Sequence, residues 1–382
     1  MFLLENPIKP YAWGSTTALA ALQGREATGA PEAELWVGAH PASPSTIHET
    51  GASLAAHIAQ HPESTLGAAS LKHFGPTLPF LLKVLAAAHP LSLQAHPSRA
   101  QAMSGFAREN SLGVPLSAST RNYKDENHKP ELICALTPFH ALCGFRKVDA
   151  SLALFRGLGV SVPLLESRGL RAFFEQLFSG SADVKALVAQ VAERCTTHPA
   201  AGFEAECRWG ARLAAQYPGD AGLLGALVLN LVTLAPGEAL YLPAGNLHAY
   251  LEGVGVELMA SSDNVLRGGL TPKHVDAAEL LAVLDFHDGP VPVLTPRGAP
   301  EAAYETPAPD FHLSRIDAST PVTLRRRGPE VVLVTQGQVS VSTPVQTLVL
   351  EQGTSAFIGA DEGAVRVSGE GTAYRATVGQ LA

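Results

Sequence analysis

The sequence predicts a mainly β protein with a helical insertion, and three observations support this fold class. Short apolar runs bounded by turn residues fill residues 1–146, as expected for strands. Across residues 149–234, apolar residues instead recur at intervals of three and four, which is the helical period. Short strands and turns return from Phe311 onwards. We therefore expect two β units, with a helical unit inserted in the first.

Length and composition limit the class of protein. At about 100 to 200 residues per domain, 382 residues predict two or three domains. The net charge is -8 and no basic stripe is present, so neither nucleic acid nor an anionic membrane is expected as a partner. The longest apolar tract, 223–235, is interrupted by Asn230 and is shorter than the roughly 20 residues of a membrane span.

Cysteine usage bears on the compartment. The four cysteines show neither CxxC nor zinc-ribbon spacing, and no charged segment followed by an apolar one opens the sequence. We therefore expect reduced thiols in a cytoplasmic protein.

The predicted elements define three domains. In the first β unit we expect strands at 80–85, 91–93, 132–136 and 139–145, helices at 54–60 and 98–108, and a polar loop at 110–127 that forms a lid or rim. After Pro236 we expect strands at 239–242, 248–251 and 254–259, a helix over 273–284 and a proline-rich linker at 290–309. The predicted domains are 1–148 with 235–290 as the catalytic unit, 149–234 as the helical unit, and 308–382 as the C-terminal β unit.

The most specific motif runs from Gly237 to His248: a glycine, five residues, Pro-x-Gly, two residues and a histidine. This spacing is typical of the second metal-binding motif of cupin jelly rolls. It predicts a turn at Gly237, a strand, a tight turn at Pro243 and Gly245, and a return strand that begins with His248 facing the barrel interior. The competing interpretation is an ordinary hairpin with a buried histidine. In the C-terminal unit, Ala364 stands at the position that the histidine of this motif would occupy. We therefore expect a second jelly roll without a metal site there.

A partner motif supplies further candidate metal ligands. Gln94 and His96 lie two residues apart, so on a strand they share one face, and Glu131 begins an apolar strand. A Gln-x-His pair taken alone is more typical of a surface strand, but these residues follow two predicted core strands, where polar groups need partners. With His248 they form a nitrogen and oxygen set without thiolate, which suits one catalytic zinc ion per chain.

A third group of polar residues follows Glu257. Arg267 stands beside Gly268 and Gly269, where the backbone can approach a ligand, and Lys273 is predicted to begin a helix, where anions bind well. The alternative is an arginine and a lysine at a solvated helix entry.

Together, five separated motifs resemble the type I mannose-6-phosphate isomerase (phosphomannose isomerase) family. They are Tyr11-Ala-Trp13-Gly14, residues 33–41, Ser92-Leu-Gln94-Ala-His96-Pro97, His128-Lys129-Pro130-Glu131 and residues 263–273. The resemblance spans about residues 1–284. It implies two cupin-like jelly rolls with a helical domain, and a zinc-dependent isomerase that interconverts mannose 6-phosphate and fructose 6-phosphate.

The resemblance also implies site residues. The zinc ligands would be Gln94, His96, Glu131 and His248, and Arg267 would be the active-site arginine. The substrate pocket would be lined by Lys83, Ser92, Lys129, Glu257, Asp263 and Lys273.

Aldose–ketose isomerisation constrains the roles of these residues. A proton moves between carbon 1 and carbon 2 through a cis-enediol, which requires a base and stabilisation of charge on two oxygens. We expect zinc and Arg267 to stabilise that charge, and Ser92, Lys83 and Lys273 to bind the phosphate. The proton carrier is open among Lys129, Glu257, His128 and Asp263.

Two other functions are alternatives. One is a cupin oxygenase that holds iron(II) with two histidines and a carboxylate, although Gln94 and the phosphate-directed lysines argue against it. The other is a non-catalytic cupin that senses a sugar phosphate. We expect a monomer or a weak homo-oligomer with a small phosphosugar as its partner.

Overall fold

The computed structural model describes residues 1–381. Its strands are β1 (Phe2–Glu5), β2 (Ile8–Lys9), β3 (Glu34–Val37), β4 (Thr46–Ile47), β5 (Phe80–Ala87), β6 (Leu93–Ala95), β7 (Glu131–Ala135), β8 (Phe139–Phe145), β9 (Leu229–Leu234), β10 (Ala239–Leu242), β11 (His248–Ala260), β12 (Leu266–Gly269), β13 (Glu301–Tyr304), β14 (His312–Asp317), β15 (Val322–Thr323), β16 (Glu330–Ser342), β17 (Thr347–Glu351), β18 (Ser355–Ile358) and β19 (Arg366–Thr377). Its helices are α1 (Ala18–Leu22), α2 (Leu54–Gln60), α3 (Pro62–Phe74), α4 (Arg99–Ser111), α5 (Val148–Gly157), α6 (Pro163–Leu177), α7 (Ala182–Thr197), α8 (Glu204–Gln216), α9 (Gly222–Leu227) and α10 (Ala277–Val283).

The strands form two antiparallel sheets. The first has the order β13-β14-β19-β16-β18-β1-β4. In addition, β15 pairs with β19 and β17 pairs with β16. The second has the order β10-β7-β11-β5-β3-β2, and β6, β8, β9 and β12 join it through β11. Both sheets contribute to one hydrophobic core, for example Leu132 and Val256 from the second sheet and Leu313 and Phe357 from the first. The chain is therefore sheet-rich, with two sheets packed against each other.

The N-terminal strand lies in the first sheet, whereas the next two strands of the chain, β2 and β3, lie in the second. In β1, Leu3 pairs with Ala356 of β18, and Leu4 pairs with Ile47 of β4. Leu4 and Ile47 are buried in the core that the two sheets share. The start of the chain is thus fixed to its C-terminal part.

The helices α5 to α9 form an insertion between β8 and β9. Large side chains such as Phe173 and Phe174 pack with Leu93 of β6 and Leu266 of β12 in one core, so the insertion is attached to the second sheet. The helical prediction is wrong at its end, because Leu229–Leu234 is the strand β9 and pairs with β8. A short buried apolar run does not show by its period whether it is helix or strand.

Four other element predictions are corrected. The two strands predicted at 248–259 are one strand, β11, so His248 and Glu257 lie on the same strand. The predicted hairpin between β10 and the strand that begins with His248 is wrong. The strand β10 pairs with β7, and β11 pairs with β5 and β7 instead of β10. The helix predicted from Lys273 begins at Ala277, because the Asp276 side chain caps it by accepting from the Glu279 N–H. The predicted linker also contains a strand, β13, which pairs with β14.

The polar loop before β7 is held to the segment between β11 and β12 by hydrogen bonds of Asn264. The Asn264 side chain accepts from the Lys124 N–H at 2.7 Å and donates to the Asp125 and Asn127 carbonyls at 2.9 and 2.8 Å. Arg121 lies 3.0 Å from the carboxylate of Glu109. Among the helices of residues 1–381, none has the length and hydropathy that a membrane span requires.

Candidate active site

Three buried side chains converge from neighbouring strands of the second sheet. Glu131 begins β7, His248 begins β11, and His96 follows β6 directly. The strands β6 and β7 both pair with β11, with Gln94 opposite His248 and Glu131 opposite Met259. Side chains that oppose each other, or that lie two residues apart on a strand, share a face of the sheet. Gln94, His96 and His248 therefore face one space.

Backbone carbonyls orient both imidazole rings. The His96 Nδ1 lies 2.7 Å from the Asn264 carbonyl oxygen, and the His248 Nδ1 lies 3.0 Å from the Asn246 carbonyl oxygen. Because a carbonyl only accepts, each Nδ1 carries the proton and each Nε2 keeps its lone pair. This outer hydrogen bond is the usual support of a metal-binding histidine.

The two Nε2 atoms are buried and make no hydrogen bond within residues 1–381. The His96 Nε2 lies 3.3 Å from the Glu131 Oε1, and the His248 Nε2 lies 3.4 Å from the Glu131 Oε2. The three residues each offer a ligand atom, and these atoms lie within 4.8 Å of one another. Two lone pairs and a carboxylate aimed at one point fit a divalent cation, and nitrogen and oxygen donors of this kind suit zinc. Gln94, which lines the space beside Glu131, offers an amide oxygen as a further donor.

The protonation states of the site also suit a metal. Burial lowers the pKa of His96 to about 4, although Glu131 acts in the opposite direction. Burial alone would raise the pKa of Glu131, but His96 and Lys129 outweigh it and hold that pKa well below its usual value. At neutral pH, His96 is therefore uncharged and Glu131 is ionised, as metal ligands must be.

A second buried cluster lies where β11, β5 and β3 pair. Glu257 of β11 and Trp36 of β3 both stand opposite Lys83 of β5. The Lys83 Nζ donates to the Glu257 Oε2 at 2.9 Å and lies 3.7 Å from the Glu34 Oε1. Burial disfavours the charge of Lys83, but the two carboxylates outweigh it and raise the pKa of Lys83. Burial raises the pKa of Glu257 above its usual value, against the effect of Lys83. The charge of Lys83 is thus balanced by the protein itself.

These side chains surround a cavity of about 680 Å³, a size common for small-molecule sites. Its walls include all but three of the residues that the sequence predicts for the site: Lys83, Ser92, Gln94, Lys129, Glu131, Glu257, Asp263, Arg267 and Lys273. Of the other three, His96 and His248 lie 3.3 and 3.4 Å from the Glu131 carboxylate, and His128 is not part of the wall. The structure therefore brings the predicted metal, catalytic and binding residues together.

Arg267 and Lys273 bring uncompensated positive charge to the cavity. Within the described residues, neither forms an ion pair, and burial lowers the pKa of both. The charge of Arg267 lowers the pKa of Lys273 further, so the two cations stand close enough to repel each other. The hydroxyl-bearing residues Ser92 and Thr271 also line the cavity. Two unpaired cations with nearby hydroxyls are suited to an anion.

The candidate proton carriers separate into two groups. Lys129, Glu257 and Asp263 line the cavity. The Lys129 Nζ lies 3.2 Å from the Glu131 Oε1, and the Asp263 side chain, 50% exposed, lies 3.5 Å from the His40 Nε2. His128 instead bonds to Asp310 at 2.8 Å and does not line the cavity. The structure thus separates His128 from the other three.

Sequence reasoning missed several residues of the cavity wall. Tyr250 has a buried hydroxyl that finds no hydrogen-bond partner in residues 1–381. A signal for it existed, because it lies two residues after His248 on the same strand. Gln216 and Tyr217, at the end of α8 in the helical insertion, line the cavity and reach the Pro90 carbonyl. No local pattern marks these two, since their position depends on how the insertion folds back.

The fold and the site define a class: an antiparallel two-sheet protein with a His-Glu-His metal site beside a cavity for an anionic small molecule. A family model described as phosphomannose isomerase type I, catalytic domain, matches residues 1–148. The chain is 39% identical over 388 residues to the mannose-6-phosphate isomerase of Escherichia coli (strain K12), covering 97% of this chain and 98% of the relative. It is 34% identical over 408 residues to the mannose-6-phosphate isomerase of Homo sapiens, covering 95% and 94%.

A solved structure agrees with these relatives. A mannose 6-phosphate isomerase from Salmonella typhimurium, bound to substrate (f6p) and a zinc atom, has a TM-score of 0.92 and 38% identity, with 100% of both chains covered. The chain belongs to the type I phosphomannose isomerase family, and the predicted family membership is confirmed.

We predict that the protein, once stripped of metal by a chelator, loses stability as the pH falls from 6.5 towards 4. The pKa of His96 is 6.5 in the unfolded chain and about 4 in the folded one, so the unfolded chain binds more protons in this range. The lowered pKa of Glu131 acts in the same direction at lower pH. The loss due to His96 should be about 3 kcal/mol, measured by urea unfolding at pH 7 and pH 4.

Two variants control this measurement. His96→Asn removes the titrating imidazole, so the pH dependence should be flatter. The asparagine amide can still donate to the Asn264 carbonyl, which keeps the local hydrogen bond. In His48→Asn, which changes an exposed histidine, the pH dependence should remain. Equal pH dependence in the two variants would contradict the prediction.

Proposed function

We propose that this chain is a zinc-dependent isomerase that interconverts D-mannose 6-phosphate and D-fructose 6-phosphate. One observation carries the proposal: a His-Glu-His metal site and two unpaired cations serve the same cavity. A sugar phosphate has hydroxyl and carbonyl oxygens at one end and a dianion at the other, which matches these two features. The isomerases of the same family support the assignment, and none of those reported above is an oxygenase or a sensor.

We assign one zinc ion per chain to Gln94, His96, Glu131 and His248. Bound zinc supplies Lewis-acid stabilisation of charge on the substrate oxygens. The protein residues around it keep the ligands in place: the Asn264 and Asn246 carbonyls orient the two rings.

We assign the proton transfer between carbon 1 and carbon 2 to Glu257. It lines the cavity, and burial raises its pKa, which makes it a stronger base than an exposed carboxylate. Lys83 fixes one of its oxygens. Arg267 stabilises the negative charge of the cis-enediol stage, and Lys129 and Asp263 hold polar groups of the substrate within the same walls.

We assign the substrate phosphate to Ser92 and Lys273. Lysine provides a point charge and the serine hydroxyl adds direction. Lys83 is the third phosphate residue predicted from the sequence, but its charge is already balanced by Glu257 and Glu34, so we give it the orienting role instead.

The finer architecture also belongs to the proposal. We propose two cupin-like jelly rolls: a catalytic unit of residues 1–148 and 235–290, and a metal-free C-terminal unit of residues 308–382. The inserted segment 149–234 is the helical domain up to α9, and its last part, β9, belongs to the catalytic sheet. The four cysteines are free and buried, which supports a cytoplasmic setting. We retain a monomer or weak homo-oligomer as the expected assembly.

The proposal is tested first by activity. We expect purified protein to form fructose 6-phosphate from mannose 6-phosphate in a coupled assay, to lose this activity on chelation, and to regain it with added zinc. Iron(II) added back in place of zinc is the matched control. Isomerase activity restored by iron(II) alone would overturn zinc as the metal. Oxygen consumption without isomerisation would favour the oxygenase, and sugar phosphate binding without turnover would favour the sensor.

Arg267→Ala should lower kcat by a factor of about a hundred or more, because removal of one preorganised charge donor has that effect. The zinc content should be unchanged, since Arg267 is not a member of the metal cluster and its β12 strand pairs with β6 at Gln94 through the backbone. Arg212→Ala, which changes an exposed arginine paired with Glu252, serves as the control. If Arg267→Ala loses zinc in proportion to its activity, the arginine has a structural role instead.

Lys273→Ala should raise the KM for mannose 6-phosphate at least tenfold and change turnover of unphosphorylated mannose little, because the lysine acts on the phosphate. Lys185→Ala, an exposed lysine of α7, is the matched control. Steady-state kinetics with both sugars checks the prediction, and equal effects on both sugars would refute the phosphate assignment.

A further inference from the structure

A backbone bend in the cavity wall adopts a conformation that leucine disfavours. Leu270 has a φ of 55°. Within residues 1–381, every other residue with a positive φ is a glycine. Its Cβ crowds the backbone there, so the surroundings must hold this conformation. Leu270 is fully buried and lines the cavity, between the cations Arg267 and Lys273.

The helical insertion holds this bend through one carboxylate. The Asp220 Oδ2 accepts from the Thr271 N–H at 3.3 Å, and its Oδ1 accepts from the Gly222 N–H at 2.7 Å. Asp220 thus joins the segment between α8 and α9 to the residue that follows Leu270. The bend continues towards the lysine, because the Lys273 N–H donates to the Thr271 hydroxyl at 3.1 Å.

Two glycines bring the insertion and the bend into backbone contact. A Cβ added at Gly222 would lie 2.7 Å from the Leu270 nitrogen and 2.9 Å from the Gly269 Cα. A Cβ added at Gly269 would lie 2.7 Å from the Gly222 Cα. Neither position has room for a side chain, so the contact exists only because both residues are glycine.

The same stretch of the insertion reaches the other residue of the phosphate site. Gln216 and Tyr217 each donate to the Pro90 carbonyl at 3.4 Å, two residues before Ser92. Residues 216–222 therefore contact both backbone segments that carry the phosphate-binding groups.

We propose that Asp220 is a positioning residue for the phosphate end of the cavity. It holds the bend at 269–271 and so fixes the place of Lys273, although its own carboxylate does not touch the substrate. The inference rests on the proposed function, which puts the phosphate at Lys273 and Ser92. The helical insertion then takes part in substrate recognition through the backbone of another segment.

The test compares Asp220→Ala, Asp220→Asn and Asp183→Ala in the full chain loaded with zinc. Asp220→Ala removes two hydrogen bonds and should raise the KM for mannose 6-phosphate and the dissociation constant for inorganic phosphate about tenfold, with kcat within about twofold. Asp220→Asn keeps one acceptor oxygen and should give an intermediate effect. Asp183 is an exposed aspartate of α7 in the same insertion, so Asp183→Ala should bind phosphate as the parent protein does.

A backbone variant provides an independent check. Gly222→Ala places a methyl group against Leu270 and should weaken phosphate binding in the same way. If Asp220→Ala does not fold, Gly222→Ala and Asp220→Asn together test whether the insertion positions the phosphate site. Unchanged phosphate affinity in the folded variants would overturn the proposal, as would a lower kcat with unchanged KM and phosphate affinity. A parent protein without isomerase activity would refute the proposed function alone, because phosphate calorimetry still shows whether Asp220 positions the anion site.

Discussion

The long strand β11 is the constraint on which the site depends. It pairs with β5, β6, β7 and β8, so its register decides which side chains of four neighbouring strands meet. His248 and Glu257 stand nine residues apart, and an uninterrupted strand would turn them to opposite faces. The register shifts between Tyr250 and Glu252, and this irregularity lets Tyr250 and Glu257 both line the cavity while His248 faces Glu131. Gly253 and Gly255 follow, where a Cβ would lie 2.7 Å from Phe139 and from Ile133 respectively.

Charge balance divides the cavity into a part that the protein completes and a part that it leaves open. Lys83 is paired with Glu257 and Glu34, and Lys129 is paired with Glu131. These groups are buried, and a buried charge without a partner would be strongly destabilising. Arg267 and Lys273 have no such partner within residues 1–381 and remain more exposed. The paired region suits the uncharged end of a sugar, and the unpaired region suits an anion.

The sequence predicted the parts of the site that depend on local spacing. Gln94 with His96, Glu131 at the head of an apolar strand, and His248 after the Pro-x-Gly turn can each be recognised within a few residues. The position of Lys273 could not be predicted in this way. The helix α10 begins only after its cap, Asp276, so Lys273 lies in the loop before the helix. The pairing of β1 with β18 and the position of β9 also depend on distant partners, and no local pattern encodes them.

The strained bend at Leu270 follows from the same charge distribution. Paired side chains fix each other, as Lys83 and Glu257 do at 2.9 Å, so their backbone needs no special support. Unpaired cations repel each other, and their place must be set by the chain that carries them. Here that chain is held from outside: Asp220 accepts from the Thr271 N–H, and Gly222 packs on Gly269. The insertion thus supplies the restraint that a salt bridge would otherwise provide, and it leaves both positive charges available to a ligand.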